Sequence, residues 1–281
     1  MHHSDSATVT TVDTLAKLLD VCGELRASEQ VDERAVTGCS FDSRAVSAGD
    51  VFFCKGAAFK PAFLRMALDA GAVAFVCEES LVESLEPLAQ ESGAAMLVVD
   101  SVRTAMALLP PEVYDRPDHD VKIVGITGTK GKTTAAFMLQ SIIKAAGESC
   151  GMIGSVSTDD GIECYESTNT TPEAPEVWRH IANCRTSGRQ SMVMEVSSQA
   201  LKYQRVENLP FDVACFLNIG RDHISPIEHP TFEDYFESKL RIFDQAKTAV
   251  VNLGTEEVDR VLEAASAAER LVTVGVEHPE A

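Results

Sequence analysis

Apolar positions along the chain switch between a helical and a strand period, and the switches mark out alternating elements. Val12, Leu15, Leu18, Leu19 and Cys22 recur at helical spacing between Thr11 and Cys22. Val36 to Phe53 reads as strand, turn, strand, with Asp42-Ser43-Arg44 and Ala48-Gly49-Asp50 supplying turn chemistry and Val51-Phe52-Phe53-Cys54 a short apolar strand. A helix is predicted from Pro61 to Ala70, capped by Gly71, then a strand from Ala72 to Cys77. A helix from Ser80 to Ser92, a strand from Ala95 to Val99 and a short helix from Ser101 to Leu109, stopped by Pro110-Pro111, complete a first α/β domain, residues 1–110.

Residues 111–120 are rich in proline and charge and poor in apolar side chains, the composition of a linker. A second domain, 121–281, opens with the buried-strand pattern Lys122-Ile123-Val124-Gly125-Ile126. A glycine-rich turn follows, then a helix from Lys132 to Ala146 that Gly147 ends. Further strands are predicted at Ser191–Glu195, Val213–Leu217, Ala249–Leu253 and Leu271–Gly275. Helices are predicted at Ala174–Arg185 and Phe232–Phe243. Strands alternating with helices imply an α/β class with a mostly parallel sheet flanked by helices. The last α/β unit reads as unfinished at the C-terminus.

The formal charge of -19 over 281 residues excludes a general binder of nucleic acid or of an anionic membrane surface, which would repel it. An anionic nucleotide remains possible where the site is locally positive. Eight cysteines, no two closer than 14 positions, leave no Cys-x-x-Cys pair for zinc or redox work and read as buried thiols. No apolar run reaches roughly 18 residues, and Met1-His2-His3-Ser4 lacks a signal pattern, so a cytoplasmic protein without membrane insertion is expected.

The strongest chemical motif is Gly128-Thr129-Lys130-Gly131-Lys132-Thr133-Thr134, set between a buried strand and a helix. Glycines let the backbone turn its N–H groups toward one phosphate, and the helix N-terminus adds partial positive charge. Lys132 is placed to reach the β- and γ-phosphates and Thr133 to put a hydroxyl on Mg²⁺. The spacing departs from the usual phosphate loop: five residues separate Gly125 from Gly131-Lys132, and two separate Gly128 from it. Glu195, in Met194-Glu195-Val196-Ser197-Ser198-Gln199-Ala200-Leu201, stands at the carboxyl end of a strand, where open α/β sheets bind ligands; it reads as a metal ligand or as a cap of the next helix. Asn169-Thr170-Thr171-Pro172 reads alone as a capped helix start. Asn218-Ile219-Gly220-Arg221-Asp222-His223 brings polar groups to another strand end. Arg205 reads as a planar fork suited to a carboxylate or phosphate, or as a solvated surface cation; Lys239 reads alone as a surface lysine and Ser43 as a turn residue.

The loop Ile126-Thr127-Gly128-Thr129-Lys130-Gly131-Lys132-Thr133-Thr134 resembles the ATP loop of the Mur ligase superfamily, which also contains folylpolyglutamate and cyanophycin synthetases. The Asn169-Thr170-Thr171 segment, the Glu195–Ala200 run, the Asp222-His223 pair, the Lys239 helix and Asp42-Ser43-Arg44 with Gly49-Asp50-Val51-Phe52 occur in that family's order. They narrow the resemblance to ligases that add the third residue of the peptidoglycan stem peptide. Ile227-Glu228-His229-Pro230 looks most like the enzymes of Gram-positive bacteria. The resemblance implies an N-terminal domain for the UDP substrate with Ser43 touching the UDP-sugar, and a central ATP domain. It implies substrate contacts at Asn169, Thr170, Thr171, Ser197 and Arg205, and Mg²⁺ held by Thr133, Glu195, His223 and a carbamylated Lys239. Gln199 stands where many members carry His, so acid–base work at that position is not expected.

The implied reaction joins UDP-N-acetylmuramoyl-L-alanyl-D-glutamate to L-lysine or meso-diaminopimelate at the expense of ATP, through an acyl phosphate. Lys132, Lys239 and His223 act at the reacting phosphates, and the expected protein is a monomer. The resemblance also implies a C-terminal domain beyond residue 281, so residues 1–281 alone are expected to be weak or inactive as a ligase. The alternatives are a cyanophycin- or folylpolyglutamate-type ligase, or a non-catalytic nucleotide-binding module.

Overall fold

The computed structural model describes residues 10–20, 26–27, 32–222, 224–226 and 228–276. Met1–Ser4, Cys22, His223 and Ile227, which entered the sequence reading, lie outside the described residues. The chain divides into two compact units, Met1–Arg116 with Ala174–Arg179, and Pro117–Glu173 with His180–Ala281.

The first unit contains α1 (Val12–Asp20), β1 (Arg26–Ala27), β2 (Gly38–Ser40), β3 (Asp50–Phe53), α2 (Pro61–Asp69), β4 (Ala74–Glu78), α3 (Val82–Ser92), β5 (Ala95–Val99) and α4 (Val102–Val113). Its sheet runs β1-β5-β4-β3-β2, parallel except where β1 meets β5. The inner positions of β3, β4 and β5 are apolar without alternation because both faces are covered, and the polar residues Asp50 and Glu78 stand at strand ends. Val51, Phe53, Val76 and Leu97 face a core shared with Leu15 of α1 and Met106 of α4. Phe52, Phe75, Cys77 and Met96 face another, built with Leu64 of α2 and Leu85 of α3.

Pro110 and Pro111 do not stop α4, which continues to Val113. The two prolines together remove two amide donors and disfavour the helix. Leu109, Pro110, Pro111 and Val113 are all buried, however, and Tyr114 N still donates to the Pro110 carbonyl at 3.0 Å. Packing of this face outweighs the local preference.

The second unit contains β6 (Lys122–Thr127), α5 (Lys132–Ala145), β7 (Cys150–Ile153), β8 (Ser157–Asp159), β9 (Cys164–Glu166), α6 (Ala174–Thr186, whose first residues belong to the first unit), β10 (Ser191–Glu195), α7 (Ser198–Lys202), β11 (Phe211–Phe216), α8 (Phe232–Leu240), β12 (Ala246–Asn252), α9 (Val258–Ala265) and β13 (Arg270–Val274). Its sheet order is β13-β12-β11-β6-β10-β7-β8-β9. Six strands from β13 to β7 are parallel, and β8 and β9 add an antiparallel edge. This is the α/β class that the alternation of elements predicts. The predicted helix Phe232–Phe243 ends earlier, at Leu240, and a 3₁₀ turn over Arg241–Gln245 leads into β12. The short elements β7, β8, β9 and α7 carry too few periodic positions to be read from sequence, whereas α9 has Val258, Val261, Leu262 and Ala265 at helical spacing and is missing from the predicted elements.

β6 is the first strand of this unit in the chain and lies between β10 and β11, so the chain leaves it toward both sides. That makes its carboxyl end a switch point, where loops diverge and leave a crevice. Gly125 lets the sheet face close here: a Cβ on it would lie 2.6 Å from the ring of the buried Phe211.

Among the described residues seven cysteines are free; burial pushes the Cys77 and Cys184 thiols up to about 12, while Cys164 stands exposed, contrary to the reading of all of them as buried. No described helix is long and apolar enough to cross a membrane. Gly125→Ala is expected to destabilise the protein by about 1–3 kcal/mol through overpacking against Phe211. A urea midpoint equal to that of the wild type would show that the ring yields freely.

Candidate active site

Three loops meet at the carboxyl ends of β6, β10 and β11. The loop after β6 turns at Gly131, whose φ of 86° is left-handed and suits glycine, and α5 begins at Lys132. Ala135 N donates to the Gly131 carbonyl, so the amides of Lys132, Thr133 and Thr134 precede the first intrahelical bond and point out of the helix start. Thr129 and Lys130 are different. Their amides donate to Asn218, to its carbonyl and its side-chain Oδ1 respectively, each at 3.0 Å. Asn218 Nδ2 returns a bond to the Lys130 carbonyl at 3.0 Å. Gly220 N and the Tyr235 hydroxyl both donate to Thr129 Oγ1, at 3.0 and 3.1 Å. The expectation that amides throughout Gly128–Thr134 face a phosphate is therefore narrowed to the helix start.

Two cations converge on one carbonyl. Lys132 Nζ donates to the Gly128 oxygen at 2.8 Å and to the Thr129 oxygen at 3.3 Å, and Lys239 Nζ donates to the same Gly128 oxygen at 2.9 Å. Lys239 is 1% exposed, with its ammonium 4.8 Å from the centre of the Tyr235 ring. Burial, and next the charge of Lys132, hold its pKa well below the usual lysine value, against the pull of Asp222. Burial lowers Lys132 as well, opposed by Glu195 and Asp222. Lys239 is thus no surface lysine, as its place in the sequence alone suggested.

Glu195, at the end of β10, is buried and held from three sides. Thr133 Oγ1 donates to its Oε2 at 2.9 Å, Ser155 N to its Oε1 at 2.8 Å and Ser155 Oγ to its Oε2 at 3.1 Å. A hydroxyl and a carboxylate at this separation are hard oxygen donors of the kind Mg²⁺ prefers. The Glu195 side chain therefore bonds Thr133 and Ser155; at the start of α7 it is the Ser197 hydroxyl that accepts from Ala200 N, at 3.1 Å.

Behind Glu195 lies the Asn169–Thr171 segment. Thr171 Oγ1 donates to the Glu195 carbonyl at 2.9 Å and accepts from Ser197 N at 3.0 Å. Ser155 Oγ reaches Thr170 Oγ1 at 3.3 Å. Arg205 donates through Nη1 to the Thr171 carbonyl at 3.0 Å and pairs with Glu173, Nε to Oε1, at 3.2 Å. Its reading as a solvated surface cation is corrected: both partners fix it beside the segment. Gln199 Nε2 donates to Glu228 Oε1 at 3.1 Å. A cavity of about 250 Å³ opens among these groups, lined by Lys132, Asn169, Thr170, Ser197, Arg205 and Lys239 with their neighbours. Among the residues singled out from sequence, His223 lies outside the described ones.

In the first unit, Ser43 lies in a separate cleft of about 380 Å³ with Phe41, Lys55, Phe59, Phe63 and Met66. Lys55 Nζ stands 4.6 Å from the centre of the Phe41 ring. Arg44 binds Asp42 at 2.6 Å and holds its carboxyl below the usual range.

Sequence reasoning assigned no role to Ser155, Asn218 or Tyr235. Asn218 alone carried a signal, as the first polar residue after an apolar strand.

Residues 126–281 match the family model of the Mur ligase middle domain, more than half of the chain. The chain belongs to the Mur ligase family. This Mur ligase is 37% identical over 263 residues to a UDP-N-acetylmuramoyl-L-alanyl-D-glutamate--L-lysine ligase of Streptococcus suis, covering 91% of the chain and 53% of that protein. It is 41% identical over 235 residues to a UDP-N-acetylmuramyl-tripeptide synthetase of Latilactobacillus sakei, covering 82% and 44%. The chain spans about half the length of the curated relatives it matches. Its fold is that of a solved UDP-N-acetylmuramoyl-L-alanyl-D-glutamate--2,6-diaminopimelate ligase, with a TM-score of 0.77 at 22% identity over 98% of this chain and 54% of that one. It is also that of MurF from Acinetobacter baumannii, with a TM-score of 0.65 at 20% identity over 96% and 53%.

The low pKa of Lys239 gives a stability test. The unfolded lysine holds its proton up to its ordinary value near 10.5, whereas the folded one releases it well below. Between those two values the unfolded state binds more protons, so this group's penalty is full below the folded pKa and fades as pH rises toward 10.5. Lys239→Met in carbonate-free buffer should therefore be more stable than wild type at neutral pH, by about 1–4 kcal/mol, and the gap should narrow as pH rises. A gap that is constant with pH would mean that Lys239 is neutral or well solvated throughout.

Proposed function

We propose that this chain forms the UDP-substrate and ATP parts of an ATP-dependent ligase of peptidoglycan synthesis. The enzyme adds the third amino acid, L-lysine or meso-diaminopimelate, to UDP-N-acetylmuramoyl-L-alanyl-D-glutamate. The observation that carries the reading is the single cavity in which the start of α5, Lys132 and Lys239 stand beside Thr170, Ser197 and Arg205. A phosphate-facing side and a carboxylate-facing side within one small volume suit transfer of a phosphoryl group to a carboxylate. The names of the Streptococcus suis and Latilactobacillus sakei relatives support the substrate, and the first of them favours lysine.

In this reading the triphosphate lies on the amides of Lys132, Thr133 and Thr134, with Gly128, Thr129, Lys130 and Gly131 shaping the turn that presents them. Lys132 moves from the Gly128 carbonyl to the phosphoryl group in transfer and stabilises its charge. The oxygens of Thr133 and Glu195 fit Mg²⁺, and His223 and a carbamate on Lys239 would complete its ligands. Bound there, Mg²⁺ supplies neutralisation of the phosphate charge. A depressed pKa favours carbamate formation, because only the neutral amine attacks carbon dioxide. Arg205, steadied by Glu173, offers a planar cation to the muramyl-peptide carboxylates, with Asn169, Thr170, Thr171 and Ser197 around it. The cleft at Ser43 takes the uridine diphosphate end, where Phe41 and Phe63 offer ring faces and Lys55 a positive charge.

The γ-carboxylate of the D-glutamate attacks the γ-phosphorus, ADP leaves, and an acyl phosphate results. The amine of the incoming amino acid then attacks the acyl carbon and expels phosphate. The protein contributes positioning and charge stabilisation to both steps. It works as a monomer in the cytoplasm, without nucleic acid.

Release of ADP should be followed in the protein at its full encoded length, with the UDP-muramoyl dipeptide and each amino acid in turn. We expect turnover with lysine. ADP release with a folate or a cyanophycin primer, and none with the muramoyl dipeptide, would sink the reading. Lys132→Ala should lower acyl phosphate formation by roughly 10³-fold or more while UDP-substrate affinity stays within about threefold. Normal turnover by that variant would remove Lys132 from the mechanism.

A further inference from the structure

His229 occupies a buried position between two helices that border the cavity, and nothing in the reaction described above uses it. Its Nε2 lies 2.9 Å from Ser198 Oγ, in the first turn of α7, and its Nδ1 lies 2.6 Å from Asp234 Oδ2, in α8. The ring is 0% exposed and packs edge-on against Tyr235, with centroids 5.2 Å apart. Asp234 also receives Lys202 Nζ at 2.6 Å. Lys202 first, and His229 as well, hold the Asp234 carboxyl below its usual range. An ionised Asp234 accepts only, so the imidazole proton sits on Nδ1, and in the neutral ring Nε2 accepts the Ser198 hydroxyl.

The connectivity Ser198–His229–Asp234 matches that of a hydrolase triad, yet Ser198 is 6% exposed and its hydroxyl is taken up by the imidazole. A tether fits the burial better than a nucleophile. What it ties together is specific. Ser198 is flanked by Ser197 and Gln199, both lining the cavity. Tyr235, packed edge-on with the ring, donates to Thr129 Oγ1 in the phosphate loop. α8 carries Lys239 one turn further on. The neighbouring Glu228, the partner of Gln199, sits in the same cavity.

We propose that His229 is a positioning residue that fixes the first turn of α7 against α8, so that Ser197 and Gln199 on the substrate side and Thr129 and Lys239 on the phosphate side face one cavity in constant register. Removing one of two buried hydrogen bonds leaves the other partner unsatisfied and lets α7 shift. Displacements of that size at a positioning group cost affinity and rate without any lost contact to the ligand. The proposal rests on the ligase reading for its substrate, but the tether can be tested apart from it.

The experiment uses His229→Asn, His229→Gln and Ser198→Ala in the protein at its full encoded length. Asparagine can reach Asp234 from the Nδ1 position but not Ser198, whereas glutamine places an amide near the Nε2 position and can reach Ser198. Calorimetry gives the dissociation constants of UDP-N-acetylmuramoyl-L-alanyl-D-glutamate and of Mg·ADP, and amide exchange follows residues 197–202. His229→Asn and Ser198→Ala should each weaken the muramoyl dipeptide on the order of tenfold, leave Mg·ADP within about threefold and speed exchange over 197–202. His229→Gln should restore dipeptide affinity to within about threefold of wild type. A merely structural histidine would lower thermal stability alike in both His229 variants and move neither constant, which would overturn the proposal. If the wild type binds no muramoyl dipeptide, the ligase reading fails on its own. Exchange then decides the tether: faster exchange over 197–202 in His229→Asn but not in His229→Gln upholds it, and unchanged exchange in both overturns it.

Discussion

Two lysine side chains share the carbonyl oxygen of Gly128, and the geometry around them follows from that crowding. One carbonyl cannot offset two ammonium charges, and Lys239 is buried beside the first. Such an arrangement costs stability: burial lowers the pKa of both groups, and the charge of Lys132 lowers that of Lys239 further. It is stable enough to persist because the rest of the second unit over-determines it, and it is relieved by anything that brings negative charge to the turn. A chain with a formal charge of -19 thus keeps a positive spot at one strand tip.

Sheet order sets that spot. β6 lies between β10 and β11, so the loops that leave those three strands end within hydrogen-bonding reach of one another. Asn218, after β11, takes up the amides of Thr129 and Lys130 and thereby makes the turn rigid. Glu195, after β10, is steadied by Ser155 and faces Thr133. Rigid backbone and pre-bonded side chains mean that little ordering remains to be done when a ligand arrives, which is the physical content of preorganisation. The same carboxylate end connects to the Asn169–Thr171 segment through the Glu195 carbonyl, so the two sides of the cavity share a single residue.

The short α7 has a corresponding role on the far side. With five residues it has little stability of its own, and its position depends on its neighbours: Ser197 caps it, Arg205 and Thr171 lie behind it, and His229 and Lys202 join it to α8. Helices that short hold a place only through tertiary bonds, which is why a change in one bond can be felt across the cavity.

The α/β alternation, the parallel sheet and the loop Gly128–Thr134 between a buried strand and a helix were all legible from residues close together in the chain, because period and turn chemistry are local properties. Glu195 was legible for a related reason, since the end of an apolar strand can be located from the strand itself. Tertiary structure decided the rest. Asn218 meets Lys130 across 88 positions, and Tyr235 meets Thr129 across 106, separations at which no spacing rule operates. Lys239 carries an ordinary amphipathic-helix signature, and only the packing of α8 over the phosphate loop turns it into a buried cation. Pro110 and Pro111 carry a helix-stop signal that burial of the α4 face overrides. Local pattern determines which elements form; where α4 and α8 end, and the energy of burying a charge or of satisfying a buried amide, depend on partners that only folding brings within reach.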